Sequence, residues 1–415
     1  MKDNYLKTEK LLHSAEKFHI KLGLERISAI LELLDNPQEK IRVVHIAGTN
    51  GKGSVSALTA EILKSSGYKT ALYTSPHLFK YNERFKINGV DISDDDFSAY
   101  TTEINQLAEN NGIDVTEFEL LTAAAYKYFY DNKVDFAVME TGLGGRFDAV
   151  NVVKQPVVTA ITSISIDHKD RLGDTVEKIA FEKAGIIKDN TPLVINKNNN
   201  GYEVIFKVAE ERKAPVFDAE EEVKILFENG INYAVFAGQK YEFNLWGLHQ
   251  KQNLDLVLKI TEVLKQKGFK INDNSICQAL KNVFLPARFQ YNKKYNLIID
   301  GAHNYDAALN LLKNLDYYFP NQKRTWIYGA ISTKEYDKIT NMLFESGDTV
   351  ILPDFEYPLA VPYAKIIEKI KKSDIKFKNL RKTENILNFL SQTSLNIMTG
   401  SFYMAGNLLP EEVIR

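Results

Sequence analysis

From Ile41 onward the chain alternates short β-branched runs with amphipathic helical stretches, and this alternation restricts the fold more than any other feature. Ile41 to Ala47 reads as a strand, Ser54 to Ser66 as a helix with a turn at Gly67, and Thr70 to Thr74 as a second strand. Glu117 to Tyr130 and Thr175 to Ile187 read as helices; Val134 to Met139, Pro156 to Ile164 and Thr191 to Asn196 read as strands. Such βαβ succession predicts a mainly parallel sheet with helices on both faces. Ahead of it, Tyr5 to Leu34 is mostly helical by pattern, broken at Asn36-Pro37, and Ser93 before Asp94-Asp95-Asp96 is placed to cap a helix. Tyr202 to Phe243 is irregular and suggests a small antiparallel element.

A second alternation follows Pro286. Strands are expected at Tyr295 to Ile299, Arg324 to Tyr328, Asp348 to Leu352 and Asn396 to Thr399, with helices from Tyr305 to Tyr318 and up to Glu345. The polar, basic segment Ala287 to Lys294 places a boundary near 290, giving domains 1–290 and 291–415. The length of 415 residues suits two or three domains, and two series select two.

Charge excludes little but directs the reading. Lys plus Arg number 52 against 54 Asp plus Glu, a net charge of −2, which gives no global attraction to nucleic acid or an anionic membrane. One cysteine, Cys277, excludes an intrachain disulfide framework and a cysteine-rich zinc site. No apolar run approaches the ~20 residues of a membrane span. A cytoplasmic protein is expected.

The first strand runs into Gly48-Thr49-Asn50-Gly51-Lys52-Gly53-Ser54 and then a helix. A glycine-rich turn at a helix N-terminus presents backbone N–H groups, and with the helix dipole these suit a polyphosphate. Lys52 would reach terminal phosphates and the Ser54 hydroxyl would serve Mg²⁺. The pattern departs from the generic Walker form: Ile46 stands where a glycine is usual, and Gly53 separates the lysine from the serine.

In open α/β sheets ligands bind beyond the carboxyl ends of the strands. There the second strand delivers Ser75, the third Glu140, and the fourth Asp167-His168. Glu140, directly after an apolar strand and downstream of the loop, suits an oxygen-preferring cation. His168 reads equally as a ligand or as a hydrogen-bonded structural histidine. Asp300 and His303 follow the first strand of the second series, where a turn with a helix cap at Asn304 is an equal alternative. Phe79 to Lys86 interleaves aromatics with charges, either a surface for a planar anionic ligand or a half-buried hairpin. Periodicity makes Lys183 an ordinary helix lysine.

The ordered motifs HIAGTNGKGS (from His45), YTSPHL (from Tyr73), YNERFKING (from Tyr81), ETGLGGRFDAVN (from Glu140), ITSISIDHKDRLGDT (from Ile161), IAFEKAGIIK (from Ile179), GLHQKQN (from Gly247), DGAHN (from Asp300) and TGSFYMAG (from Thr399) resemble the bacterial folylpolyglutamate synthase/dihydrofolate synthase family of Mur-type ligases. The resemblance runs from about residue 20 to the end of the sequence. It implies an α/β fold with an N-terminal P-loop ATPase-like domain and a smaller C-terminal Rossmann-like domain, with catalysis in the cleft between them. It implies ATP and Mg²⁺ as cofactors, and a pterin carboxylic acid and L-glutamate as substrates.

By motif, the resemblance assigns ATP to Gly48, Thr49, Asn50, Gly51, Lys52, Gly53, Ser54, Asn253, Arg288 and Asp300. Metal falls to Ser54, Ser75, Glu140, His168 and Lys183, the lysine as a carbamate. Catalytic roles fall to Lys52, Glu140, His168, Lys183 and His303, and substrate contacts to Arg84, Thr116, Phe118, Asp148 and Ala149. Departures from the family pattern are Ala287 where glycine usually precedes the arginine, Lys334-Glu335 for Lys-Asp, and Asp148-Ala149-Val150-Asn151 with valine for threonine. A monomer without nucleic-acid or membrane partners is expected. Alternatives are another Mur-type amide ligase, for peptidoglycan or poly-γ-glutamate, and a non-catalytic nucleotide switch.

Overall fold

The β-branched run after Ile41 forms β1 (Arg42–Ala47), and β2 (Thr70–Tyr73), β3 (Phe85–Ile87), β4 (Val90–Asp91), β5 (Phe136–Glu140), β6 (Val158–Ile161), β7 (Leu193–Ile195) and β8 (Val216–Asp218) join it in one sheet. The computed structural model describes residues 2–15, 23–220, 222–332, 336–370, 374–381 and 384–415. The strand order is β4-β3-β2-β5-β1-β6-β7-β8. Pairing is parallel from β2 through β8, and only β3 and β4 run antiparallel at one edge. The central strands β5, β6 and β7 are buried along their whole length, as a parallel sheet covered on both faces requires.

Two apolar layers provide that cover. On one side Tyr73, Phe85, Phe97, Tyr126 and Phe129 form a continuous core. On the other, Ala47, Ile161, Ile179, Ile195 and Ile205 do so. Local signals set the helix starts: the Ser93 hydroxyl accepts the Asp96 N–H at 3.0 Å, and Thr116 with Glu119 forms a reciprocal capping box. The expected helix from Tyr5 to Leu34 is Lys2–Ala15 and Glu25–Leu33, with 16–22 outside the described residues.

Tyr202 to Phe243 is more regular than its sequence suggests. Tyr202–Glu211 is a helix whose apolar face enters the core through Ile205 and Ala209, and β8 adds a parallel edge strand. The antiparallel element itself is present as β9 (Lys224–Glu228), β10 (Ile231–Phe236) and β11 (Gln239–Glu242). Helices Gln250–Gln266 and Asp273–Asn282 fill a stretch in which the sequence reading distinguished no elements.

By contacts the chain forms two units, Met1–Glu222 with Gln252–Val283, and Val223–Lys251 with Phe284–Arg415. The antiparallel element therefore goes with the second unit, and helix Gln250–Gln266 lies almost wholly in the first. The second unit also holds β12 (Gln290–Asn292), β13 (Leu297–Ile299), β14 (Arg324–Tyr328), β15 (Thr349–Pro353), β16 (Lys376–Leu380) and β17 (Leu395–Thr399), ordered β12-β13-β17-β14-β15-β16. All pair in parallel except β12. Trp326, Tyr328 and Phe344 anchor its core. Among the described residues no helix is long and apolar enough to cross a membrane.

Candidate active site

β1, β2, β5 and β6 run in parallel and therefore release their following loops along one edge of the sheet. Gly48 to Gly51 links β1 to helix Lys52–Ser65. Two glycines are obligatory here on steric grounds. A Cβ on Gly48 would lie 1.7 Å from Thr162 Oγ1, and one on Gly51, at φ +91°, would lie 2.3 Å from Asn253 Oδ1. Lys52 Nζ folds back to donate to Gly48 O at 3.1 Å and Thr49 O at 3.2 Å. Lys183, although buried, donates its Nζ to the same Gly48 oxygen at 2.7 Å. Burial first, and the neighbouring Lys52 charge second, hold the Lys183 ammonium far below the ordinary lysine range. Helical periodicity had made Lys183 look like a solvated residue; its burial shows otherwise.

Thr49 is engaged on both of its donors. Its N–H donates to Ser163 O at 2.7 Å and its hydroxyl to Ser165 O at 3.1 Å. Thr49 thus spends both donors inside the protein. Glu140 closes β5 in register with Ile46, two residues before the loop, and is 3 % exposed. Its Oε2 accepts the Ser75 N–H at 3.3 Å. Ser54, in the first turn of the loop helix, is also buried. His168 caps a short helix at φ +50°, and its Nε2 lies 3.9 Å from Asp167 Oδ1.

These donors fit a magnesium ion. Ser54, Ser75 and Glu140 supply hard oxygens, and among the described residues no trio of His, Cys, Asp and Glu forms a closed protein cage. Mg²⁺ takes few protein ligands and completes its shell with water and substrate phosphate.

Of the residues expected to meet substrate, Asp148 is buried, with Oδ2 accepting Leu143 N–H at 2.8 Å and Oδ1 accepting Val150 N–H at 3.0 Å. Burial pushes its carboxyl up to about 6, opposed by those backbone bonds and by Lys52. Ala149 next to it is buried, Thr116 uses its hydroxyl on the Glu119 N–H, and the Phe118 ring fills the space a Gly142 side chain would need. Arg84 lies in the 3-10 turn Tyr81–Arg84 that leads into β3, so the Phe79 to Lys86 segment is a turn and edge strand. Its Nε donates to His77 Nδ1 at 3.0 Å, and its guanidinium lies 5.1 Å from the Tyr81 ring centre. Because arginine only donates, the proton of the neutral His77 ring belongs on Nε2.

In the second unit, Arg288 is flanked by two left-handed residues, Ala287 at φ +54° and Phe289 at φ +47°. Each non-glycine residue in this region costs on the order of 1 kcal/mol, so the absence of the usual glycine at 287 is borne as backbone strain. Asp300 secures the turn: Oδ2 accepts Phe289 N–H at 2.7 Å and Oδ1 accepts Ala302 N–H at 2.8 Å. Arg288 lies over the Phe402 ring at 4.5 Å, and His303 Nδ1 donates to Gly301 O at 2.8 Å. Asn304 caps the next helix, as the turn reading held. Lys334-Glu335 lies outside the described residues.

Sequence reasoning missed Thr162, Ser163, Ser165 and Asn199 as site residues. The available signal was a run of hydroxyls, Thr162-Ser163-Ile164-Ser165, where strand alternation should have stayed apolar.

A strand, a glycine loop with a lysine at a helix N-terminus, and a carboxylate on the adjacent strand are the arrangement of a phosphate-loop nucleotide domain. Residues 46–260 match the Mur ligase middle domain, and residues 285–411 match the C-terminal domain of dihydrofolate synthetase. The chain is 34% identical over 368 residues to dihydrofolate synthase/folylpolyglutamate synthase of Bacillus subtilis, covering 84% of this chain and 85% of that protein. It superposes on Mycobacterium tuberculosis folylpolyglutamate synthase complexed with ADP and AMPPCP at a TM-score of 0.85 and 29% identity, covering 97% of each chain. On E. coli FolC in complex with DHPP and ADP the TM-score is 0.83 at 26% identity, covering 96% of each. The chain belongs to the dihydrofolate synthase/folylpolyglutamate synthase family. It is an enzyme, a ligase that forms carbon–nitrogen bonds.

Proposed function

We propose that the enzyme joins L-glutamate to a pterin carboxylic acid, dihydropteroate or a folate, in a reaction driven by ATP. The observation that carries this reading is the convergence on one sheet edge of the Lys52 loop from β1 and the buried Glu140 from the adjacent β5. The E. coli relative, bound to DHPP and ADP, supports both ligand classes.

A carboxylate is a poor electrophile. Transfer of the ATP γ-phosphoryl group to its oxygen releases ADP and gives an acyl phosphate. The glutamate amine then attacks the acyl carbon, loses a proton, and expels inorganic phosphate to leave an amide. On this reading Gly51, Lys52, Gly53 and Ser54 meet the phosphates through backbone N–H groups and the Lys52 ammonium. Asn253, whose Oδ1 lies beside Gly51, would meet the nucleotide. Thr49 supports the loop from behind, since its donors are engaged.

Ser54, Ser75, Glu140 and His168 would hold Mg²⁺, which when bound neutralises charge on the phosphate oxygens. Lys183, held toward its neutral amine by burial, has the form that reacts with carbon dioxide, which supports its assignment as a carbamate. Arg84 would meet the anionic end of the pterin acid. Asp148, Ala149, Thr116 and Phe118 would shape the pterin side, Asp148 and Thr116 through the backbone they hold. Arg288, Asp300 and His303 serve the nucleotide and incoming glutamate; Asp300 does so by fixing the turn that carries Arg288.

The reading extends to domain roles for the two series, with 1–290 handling ATP and 291–415 serving glutamate. It also extends to a cytoplasmic monomer with no nucleic-acid partner, supported by the balanced charge and the single cysteine. The test is ADP release assayed with dihydropteroate and with tetrahydrofolate, each with and without L-glutamate; release with either acid only when glutamate is present supports the reading.

A further inference from the structure

The phosphate loop is fastened to a neighbouring strand end by side chains to which the motifs assign no role. The segment Thr162-Ser163-Ile164-Ser165 continues β6 beside the loop. Asn50 O accepts two hydroxyls from it, Thr162 Oγ1 at 2.7 Å and Ser163 Oγ at 3.1 Å. The same segment takes the Thr49 N–H on Ser163 O at 2.7 Å. Behind it stands Asn199, whose carboxamide imitates a strand partner: Oδ1 accepts the Ile164 N–H at 2.9 Å, and Nδ2 donates to Thr162 O at 2.5 Å.

The peptide between Asn50 and Gly51 is trans, so its C=O and N–H point to opposite sides. Hydroxyls that hold the Asn50 carbonyl toward 162–163 therefore turn the Gly51 N–H away from that segment. We propose that Thr162 and Ser163, braced by Asn199, are positioning residues that aim the Gly51 N–H at the nucleotide phosphates. In this arrangement Thr162 and Ser163 act through the loop backbone, and Asn199 acts through the backbone of their segment. The missing Cβ of Gly48 belongs to the same device, because the Thr162 hydroxyl occupies that space. Preorganised backbone donors bind an anion without reorganising first, which is the advantage such bracing gives.

The inference rests on the reading of the loop as a nucleotide cradle, so its test begins with calorimetric titration of the full-length wild type with ADP and Mg²⁺. Thr162→Val is expected to weaken ADP binding and raise the KM for ATP by about 10-fold each, the scale of one lost hydrogen bond, with the KM values for glutamate and pterin acid held within about two-fold. Thr162→Ser, which keeps the hydroxyl, is expected to restore both to within about two-fold of wild type. Asn199→Ala is expected to weaken ADP binding about 3-fold through the lost brace. Should Thr162→Val fail to fold, Ser163→Ala, expected to bind ADP about 3-fold more weakly, carries the test.

Thr162→Val, or in its place Ser163→Ala, with wild-type ADP affinity would overturn the inference while leaving the nucleotide reading intact. So would Thr162→Ser as weak as Thr162→Val, because the methyl and not the hydroxyl would then be the cause. A wild type that binds no ADP would overturn the cradle itself.

Discussion

Lys183 Nζ donates to Gly48 O at 2.7 Å across 135 residues of sequence, tying helix Val176–Ala184, between β6 and β7, to the neck of the phosphate loop. The same carbonyl accepts Lys52. Burial of Lys183 first, and the Lys52 charge beside it second, explain why the Lys183 ammonium is disfavoured.

Lys183→Ala should therefore lose activity by about 100-fold or more, the scale at which removal of one fixed charge-stabilising group acts. Partial recovery in acetate, a small carboxylate able to occupy the vacated space, is expected if the lysine works as a carbamate. Full activity of the variant in a steady-state assay would contradict its assignment.

Gly48→Ala forces a methyl to within 1.7 Å of the Thr162 hydroxyl. Displacing that side chain should cost about 1–3 kcal/mol of stability, as overpacking does, and weaken ADP binding. Urea unfolding and ADP titration measure the two effects separately.

Glu140→Gln keeps the shape of a buried side chain and removes its charge. The Mg²⁺ concentration giving half-maximal activity should rise by at least about 10-fold, since loss of even an outer ligand contact has that effect. An unchanged magnesium titration would remove Glu140 from the metal set.

His45 lies in the centre of β1, with Nε2 2.9 Å from Thr141 Oγ1, and burial pushes its pKa down to about 3. It stays neutral in the folded chain while the unfolded chain takes up its proton near 6.5. Below pH 6.5 the unfolded state binds more protons, so stability present above that pH is lost as pH falls toward 3. His45→Gln should flatten the fall in urea-unfolding stability between pH 6.5 and 4, even if it is less stable at pH 7.

How much of this was legible in the sequence follows from the range of the forces involved. β1, β14 and helix Tyr305–Tyr318 were readable because their β-branched or amphipathic pattern and caps are local. Glu140 was readable because its strand is an unbroken apolar run ending in a carboxylate. Helix Tyr202–Glu211 was lost among aromatics that suggested strands, although its period places Ile205 and Ala209 in the core. Lys183 was invisible to periodicity because its burial depends on Gly48, far away in sequence. Family motifs pointed to it where local physics could not. Asp148, Asp300 and Thr116 were expected at a ligand surface, yet their oxygens hold backbone, a commitment only the folded turns disclose.

Glutamate ligation to a pterin acid driven by ATP can be read in a single reaction mixture. Its most direct test is mass spectrometry of the product beside ADP release, with dihydropteroate or tetrahydrofolate, in the presence and absence of L-glutamate. The expected result is ADP formation that requires glutamate together with at least one of the two acids, and a product heavier by one glutamyl residue. ADP release indifferent to glutamate and to both acids would contradict it.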